Sequence, residues 1–256
     1  MANKLTRNFT TQYEKQFLEK FNSLCQTRSS WQVWSDFITV TAITLANSID
    51  RESEIHTKRE EEYENCIKRL GGVEIPAEMF GIITMALEEN PEQDFLGSMF
   101  MKLELGSHWK GQFFTPYHVC KAMAEINSVD LETQMKEKGW ISVNDPACGA
   151  GATLIAMANT MKAHEVNYQN HALFIGQDID RVAGMMCYIQ LSLLGCAGYV
   201  VIADTLCNPL VGNVLYPEPN ENQEIWYTPM YSSDVWNFRR MFNMMDSILR
   251  RKTCVL

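Results

Sequence analysis

Residues 144–157 read NDPACGAGATLIAM: an acid and a proline, a run of small residues, then an apolar run. The stretch just before it, WISVND (140–145), is a short apolar run that ends in the acid. ALFIGQD (172–178) and YVVIAD (199–204) repeat that grammar. Helix-length runs lie between them, GATLIAMANTMKA and then RVAGMMCYIQLSLLG. Strand, helix, strand, helix, strand at this spacing predicts βαβ units and a parallel sheet. Each strand closes on an acid, Asp145, Asp178 or Asp204. Ligands of open α/β sheets bind at the carboxyl ends of the strands, so three carboxylates are expected to line one crevice.

The small residues of PACGAGA let backbone come close to a ligand, and the following helix points its free N–H groups at the same place. A phosphate loop would need a lysine, and a dinucleotide turn would need GxGxxG; neither is present. An acid leading the turn fits a positively charged ligand, a sulfonium or an amine. Asp178 lies where an acid commonly holds ribose hydroxyls, and Asp204 can accept from an exocyclic amine. A nucleoside with an amino-acid tail satisfies all three. Taken alone, Asp178 or Asp204 reads more simply as a helix N-cap.

At 256 residues the chain can bury a proper core in one large or two small domains. No apolar run approaches the roughly 20 residues of a membrane span, and the N-terminus has no signal-like apolar core, so a cytoplasmic protein without a membrane is expected. The eight cysteines show no CxxC pairing and no grouping with histidine, which predicts reduced, mostly buried thiols and no metal site. A net charge of −9 argues against a strong general grip on nucleic acid, although Arg239, Arg240, Arg250, Arg251 and Lys252 cluster locally.

The first hundred residues read as helical. Tyr13, Phe17, Phe21 and Leu24 share one helix face, and Ser29 and Ser30 are placed to cap a helix carrying Trp31, Trp34, Phe37, Ile38 and Ile43. A charged helix, TKREEEYENCIKRL, stops at Gly71-Gly72, and Pro76 opens another that ends near Asn90.

DPACGAGATLIAM resembles motif I of S-adenosylmethionine-dependent methyltransferases in its adenine-N6 DNA methyltransferase form, and is most similar to that of the modification subunit of type I restriction systems. GQFFTPYHV (111–119), GQDID (176–180) and ADTL (203–206) are similar to further pieces of that family, in the same order. SSWQVWSDFITVTAITLAN resembles the helical region that precedes its fold. The resemblance implies an α/β, Rossmann-like S-adenosylmethionine-dependent methyltransferase fold over 107–256, with a helical N-terminal domain over 1–106. It implies S-adenosyl-L-methionine as cofactor. The binding residues it implies are Phe113, Phe114, Thr115, Pro116, Asp145, Ala147, Gly149, Gly151, Asp178, Ile179, Asp204 and Thr205.

The family's catalytic tetrapeptide, Asp/Asn/Ser-Pro-Pro-aromatic after the fourth strand, has no full counterpart here. Asn208-Pro209 comes too early. The positional counterpart is QEIWYTPMY (223–231), which gives Thr228, Pro229 and Tyr231 as catalytic candidates, or else a plain strand-to-loop turn with Tyr231 packed. One helix follows, with Trp236, Met241, Met244, Met245 and Ile248 as its expected apolar positions. The parallel sheet is therefore expected to be C-terminally shortened, its open edge covered by a second copy or another subunit. Two functions follow from the resemblance: methyl transfer to the exocyclic amine of adenine in DNA, or a catalytically inactive S-adenosylmethionine-binding scaffold or sensor in a larger complex.

Overall fold

A computed structural model describes residues 8–50, 54–105 and 113–253. The expected domain boundary at 106/107, and Gly111 and Gln112 of the GQFFTP stretch, lie outside the described residues. The chain opens with helices α1 (Gln12–Leu24), α2 (Ser30–Asn47), α3 (Glu54–Leu70), α4 (Glu74–Glu89), α5 (Phe95–Lys102), α6 (Tyr117–Asn127) and α7 (Leu131–Lys138). Strand β1 (Ile141–Asp145), helix α8 (Ala152–Ala163), the short α9 (Tyr168–His171), β2 (Ala172–Asp178), α10 (Arg181–Leu193) and β3 (Ala197–Ile202) follow. A hairpin, β4 (Val211–Asn213) and β5 (Tyr216–Glu218), leads to β6 (Glu224–Tyr227), a 3-10 turn over 229–232 and α11 (Asp234–Thr253).

Local chemistry sets the helix ends. Thr11 and Glu14 form a reciprocal capping box at α1, and the Ser29 hydroxyl accepts from the Gln32 N–H at α2. Phe17 and Phe21 meet Trp34 edge-on, each at 6.0 Å between ring centres. Helix α2 is buried over most of its circumference because α3 covers one side and α10 the other. Helices α8 and α10 are buried in the same way, between the sheet and the outer helices, so they read as apolar all round. One continuous cluster of buried side chains runs from Phe9 through α2 and α10 to Trp226. The N-terminal helices and the sheet therefore share a core.

The main sheet has the order β1-β2-β3-β6. Strands β1, β2 and β3 are parallel, as the sequence predicts, with Asp145 opposite Gly176 and Asp178 opposite Ile202. The fourth strand corrects the expectation of an all-parallel sheet. β6 pairs antiparallel to β3, with Ile202 opposite Glu224 and Tyr199 opposite Tyr227. Long-range contacts hold it there. Arg181 makes bidentate contacts with Glu62 of α3 at 2.8 and 2.9 Å and with Glu224 of β6 at 2.8 and 3.0 Å. Burial works against the Arg181 charge, but Glu224 and Glu62 outweigh it and hold its pKa above the ordinary value. Trp226 is fully buried against Tyr188, with the Arg59 guanidinium 4.3 Å above its ring.

The second face of the sheet carries a smaller core of Leu173, Ile175, Tyr199, Val201, Leu215 and Trp236. The expected apolar face of the last helix is corrected in part. Trp236 is buried, but Met241, Met244 and Met245 are exposed, because Arg239, Arg240 and Asn243 supply the rest of the inward contacts. The side chain of Ile248 lies outside the described residues.

Candidate cofactor crevice

Between β1 and α8 the backbone makes a tight, partly left-handed turn. Gly149 has φ +52° and Gly151 φ +95°, conformations that side chains other than glycine's rarely adopt. A Cβ on Gly149 would come within 2.9 Å of the Phe114 ring, and one on Gly151 within 2.8 Å of Cys187 Sγ. The turn is bound to the end of β2 and to the loop that follows β3. The Gly149 N–H donates to Asp178 Oδ2 at 2.8 Å, the Cys148 N–H to the Gln177 carbonyl at 3.0 Å, and the Thr205 hydroxyl to the Pro146 carbonyl at 2.5 Å.

The structure brings the three acids together at the carboxyl edge of the sheet, at or just beyond the ends of β1, β2 and β3. Each also organises its own loop. Asp145 accepts from the Ala147 N–H and the Thr153 hydroxyl. Asp178 accepts from Gly149 and Asp180 N–H groups. Asp204 accepts from Leu206 and Cys207 N–H groups, and the bonds from Cys207 and Leu206 hold its carboxyl below the ordinary range. The N-cap of α10 is Asp180, not Asp178. An ionised carboxylate offers about four lone-pair sites, so these bonds leave each acid with acceptor capacity.

Exposed apolar side chains neighbour these groups: Phe113, 79% exposed, lines a small cleft at the glycine turn, while Ile179, 70%, follows Asp178 and Leu206, 92%, follows Thr205. Exposed apolar side chains next to polar groups suit a ligand with a flat apolar surface. A cleft of 590 Å³ opens beside β1, lined by Thr115, Asp145, Pro146, Ala147 and Thr153 among others. A smaller one of 80 Å³ continues from it between Phe113, Phe114 and the glycine turn. Pro116 caps the start of α6. Phe114 faces inward, 5.1 Å from Phe100, and so supports the turn. Cys148 is buried, and its contact with Cys187 together with burial pushes its thiol well above the ordinary pKa, which makes it a packing group.

Thr228, Pro229 and Tyr231 are not part of this crevice. Because β6 runs antiparallel, it enters at the crevice edge and leaves at the opposite one, roughly 17 Å away over the length of β3. Thr228 is fully buried there; its hydroxyl donates to the Cys196 carbonyl at 2.7 Å and accepts from the Gly198 N–H at 3.0 Å. Pro229 opens the 3-10 turn. Tyr231 stacks on Tyr227 at 4.7 Å, lies under the Arg240 guanidinium at 3.9 Å, and donates to the Leu215 carbonyl at 2.7 Å. The expectation that these residues face a base in the crevice is corrected by strand direction.

Sequence reasoning overlooked the support beneath the turn. The Gln190 amide donates to the Ala150 carbonyl at 2.8 Å and to Asp94 Oδ1 at 2.7 Å, and accepts from the Leu96 N–H at 3.1 Å. Asp94 also caps α5 through the Gly97 N–H at 2.8 Å, and burial pushes its carboxyl above the ordinary range. A lone glutamine inside the apolar run RVAGMMCYIQLSLL was the available signal, since a buried amide needs partners.

The N-6 DNA methylase family model matches residues 96–250. No curated protein and no solved structure matches the chain. The matched residues include the glycine turn, all three strand-end acids and the crevice rim, and they make up more than half of the chain. The chain belongs to the N-6 DNA methylase family.

Proposed function

We propose that the crevice binds S-adenosyl-L-methionine, and that the chain is the cofactor-binding part of an adenine-N6 DNA methyltransferase. The observation that carries this reading is the convergence of Asp145, Asp178 and Asp204 on a left-handed glycine turn that contains no basic side chain. A sulfonium and an α-amine suit such an acidic site; a pyrophosphate does not. Asp178 is placed for ribose hydroxyls, Asp204 for an exocyclic amine, and Phe113, Ile179 and Leu206 for the faces of a purine. Ala147, Thr115 and Thr205 line or tie the same walls. The parallel βαβαβ order supports a Rossmann-like fold with a reversed last strand. When bound, the cofactor supplies an electrophilic methyl group; the chain's own residues bind it, orient it and exclude water from it.

A second reading is a catalytically silent scaffold or sensor subunit that binds the same cofactor. The buried position of Thr228 at the opposite edge of the sheet favours it, because that hydroxyl is engaged by Cys196 and Gly198 and does not reach a base in the crevice. Calorimetric titration with S-adenosylmethionine and S-adenosylhomocysteine tests the shared part: binding by the wild type that Asp178→Ala weakens at least ten-fold is expected. No binding of either ligand sinks both readings. Labelled-methyl transfer to adenine-containing DNA then separates them, since only the first reading yields label in DNA.

A further inference from the structure

Asp94 is a buried carboxyl with one oxygen engaged and one free. Its Oδ1 accepts from the Gly97 N–H at 2.8 Å and from the Gln190 amide at 2.7 Å. Its Oδ2 has no hydrogen-bond partner among the described residues, and it is not one of the unpartnered polar atoms sealed from open space. Gly97 leaves room for that oxygen, since a Cβ there would overlap it. The side chain is 4% exposed, and it meets open space in the 80 Å³ cleft at the glycine turn. Asp145 lines the same cleft. No lysine or arginine among the described residues lines it, and the Asp94 carboxyl feels burial and its two donors but no cation. A buried carboxylate without a positive partner is costly. A half-used buried carboxyl beside a second acid therefore marks a place for a positive charge.

Size and surroundings narrow that charge to an amine. The cleft is well below the roughly 300 Å³ at which small-molecule pockets begin, so it takes an end group and not a ring. Thr115, Cys120, Asp145, Ala147 and Thr153 line both it and the larger cleft beside β1, so the end group belongs to a ligand seated in the crevice. Among the described residues no three His, Cys, Asp or Glu side chains gather as metal ligands, which leaves an ammonium group. Ala152 and Thr153, in the first turn of α8, also line the small cleft. N–H groups in a first turn lack intrahelical acceptors and suit a carboxylate. Acids and free N–H groups in one small cleft match the head of an amino acid, which carries both charges. We infer, on the reading that the crevice holds S-adenosylmethionine, that Asp94 Oδ2 receives the protonated amine of the ligand's amino-acid tail. The helical region that precedes β1 thereby supplies a binding group of its own as well as the support under the turn.

Calorimetric titration of the wild type and Asp94→Asn with S-adenosylhomocysteine and with methylthioadenosine tests this. The second ligand is a thioether nucleoside that lacks the amino-acid tail. Asp94→Asn keeps an acceptor for Gly97 and Gln190 and sets an NH2 donor where the free oxygen stood. Affinity for S-adenosylhomocysteine is expected to fall about ten-fold or more, the worth of a hydrogen bond to a charged group. Affinity for methylthioadenosine is expected to stay within about two-fold, and the urea midpoint at neutral pH should not drop. An equal loss for both ligands, or a loss that comes with a lower urea midpoint, overturns the inference, because Asp94 then acts only through the turn. Unchanged S-adenosylhomocysteine affinity overturns it as well and leaves the crevice reading standing. A wild type that binds neither ligand removes both.

Discussion

The two ends of the central sheet carry similar residues and use them in opposite ways. At the carboxyl edge, Asp145, Asp178 and Asp204 stand at or just beyond strand ends, tie their loops and keep acceptor capacity, and Asp145 lines an open cleft. At the amino edge, Thr228 also follows a strand end, yet its hydroxyl is buried and spent on Cys196 and Gly198. What separates them is strand direction. A polar residue just after a strand reaches the crevice only if that strand runs parallel to β1, β2 and β3. The antiparallel course of β6 turns a candidate catalytic group into a clamp on β3.

The largest effect is expected at the support under the crevice turn. Gln190→Leu leaves the buried Asp94 carboxylate short of a donor and the Ala150 carbonyl without its amide. A loss of about 3 kcal/mol or more is expected. In a chain of this size that lowers the melting temperature by roughly 6–12 °C, readable by scanning calorimetry. S-adenosylmethionine affinity should fall with it, because the turn loses its anchor. A melting curve unchanged by Gln190→Leu would remove the anchor from the account.

Thr228→Val tests the other end. It keeps the shape, removes the hydroxyl and leaves the Gly198 N–H and Cys196 carbonyl short of a partner, at a cost of about 1–3 kcal/mol. Cofactor affinity should not change. Thr228→Asn, which restores the family's amide in sequence, should yield no labelled DNA and should destabilise the fold, since that position is fully buried. Methyl transfer gained by Thr228→Asn would show that β6 reaches the crevice after all.

Asp94 makes stability at the crevice end depend on pH. Its folded pKa lies above the ordinary value, so the folded state holds the proton more tightly than the unfolded chain does. Its contribution therefore favours folding at low pH. That contribution is lost as pH rises from the ordinary carboxylate range, near about 4, through the raised folded value. Asp94→Asn keeps an Oδ1 acceptor for Gly97 and Gln190 and cannot ionise. Urea midpoints of the two proteins should diverge in favour of Asp94→Asn as pH rises toward 7; parallel midpoints would argue against a buried charge.

The smallest effect belongs to Asp204→Ala. Its carboxyl lies at the surface and holds only the Leu206–Cys207 turn, so thermal stability should barely change. Its weight falls on the ligand: S-adenosylmethionine affinity should drop about ten-fold or less, the worth of one hydrogen bond. The ratio of ligand effect to stability effect thus runs opposite to that of Thr228→Val, which is the contrast between the two ends in measurable form.

The sequence by itself determined the parts that local pattern controls. Alternating strand and helix runs fixed β1, α8, β2, α10 and β3, and the small residues of PACGAGA fixed the left-handed turn. Because parallel strands share one carboxyl edge, placing the three acids there needed nothing further. The short capping motifs at Thr11 and Ser29 are equally local. The direction of β6, the Gln190–Asp94 support and the outward stripe of α11 were decided only by the tertiary structure. Each rests on partners far away in sequence: Glu62 with Arg181 and Glu224 for the strand, Asp94 and Ala150 for the amide, and Gln169, Gly139 and Asn213 for the helix. A four-residue strand reads the same in either direction, and a helix with both polar and apolar faces does not say which one turns inward. Packing against distant residues makes that choice.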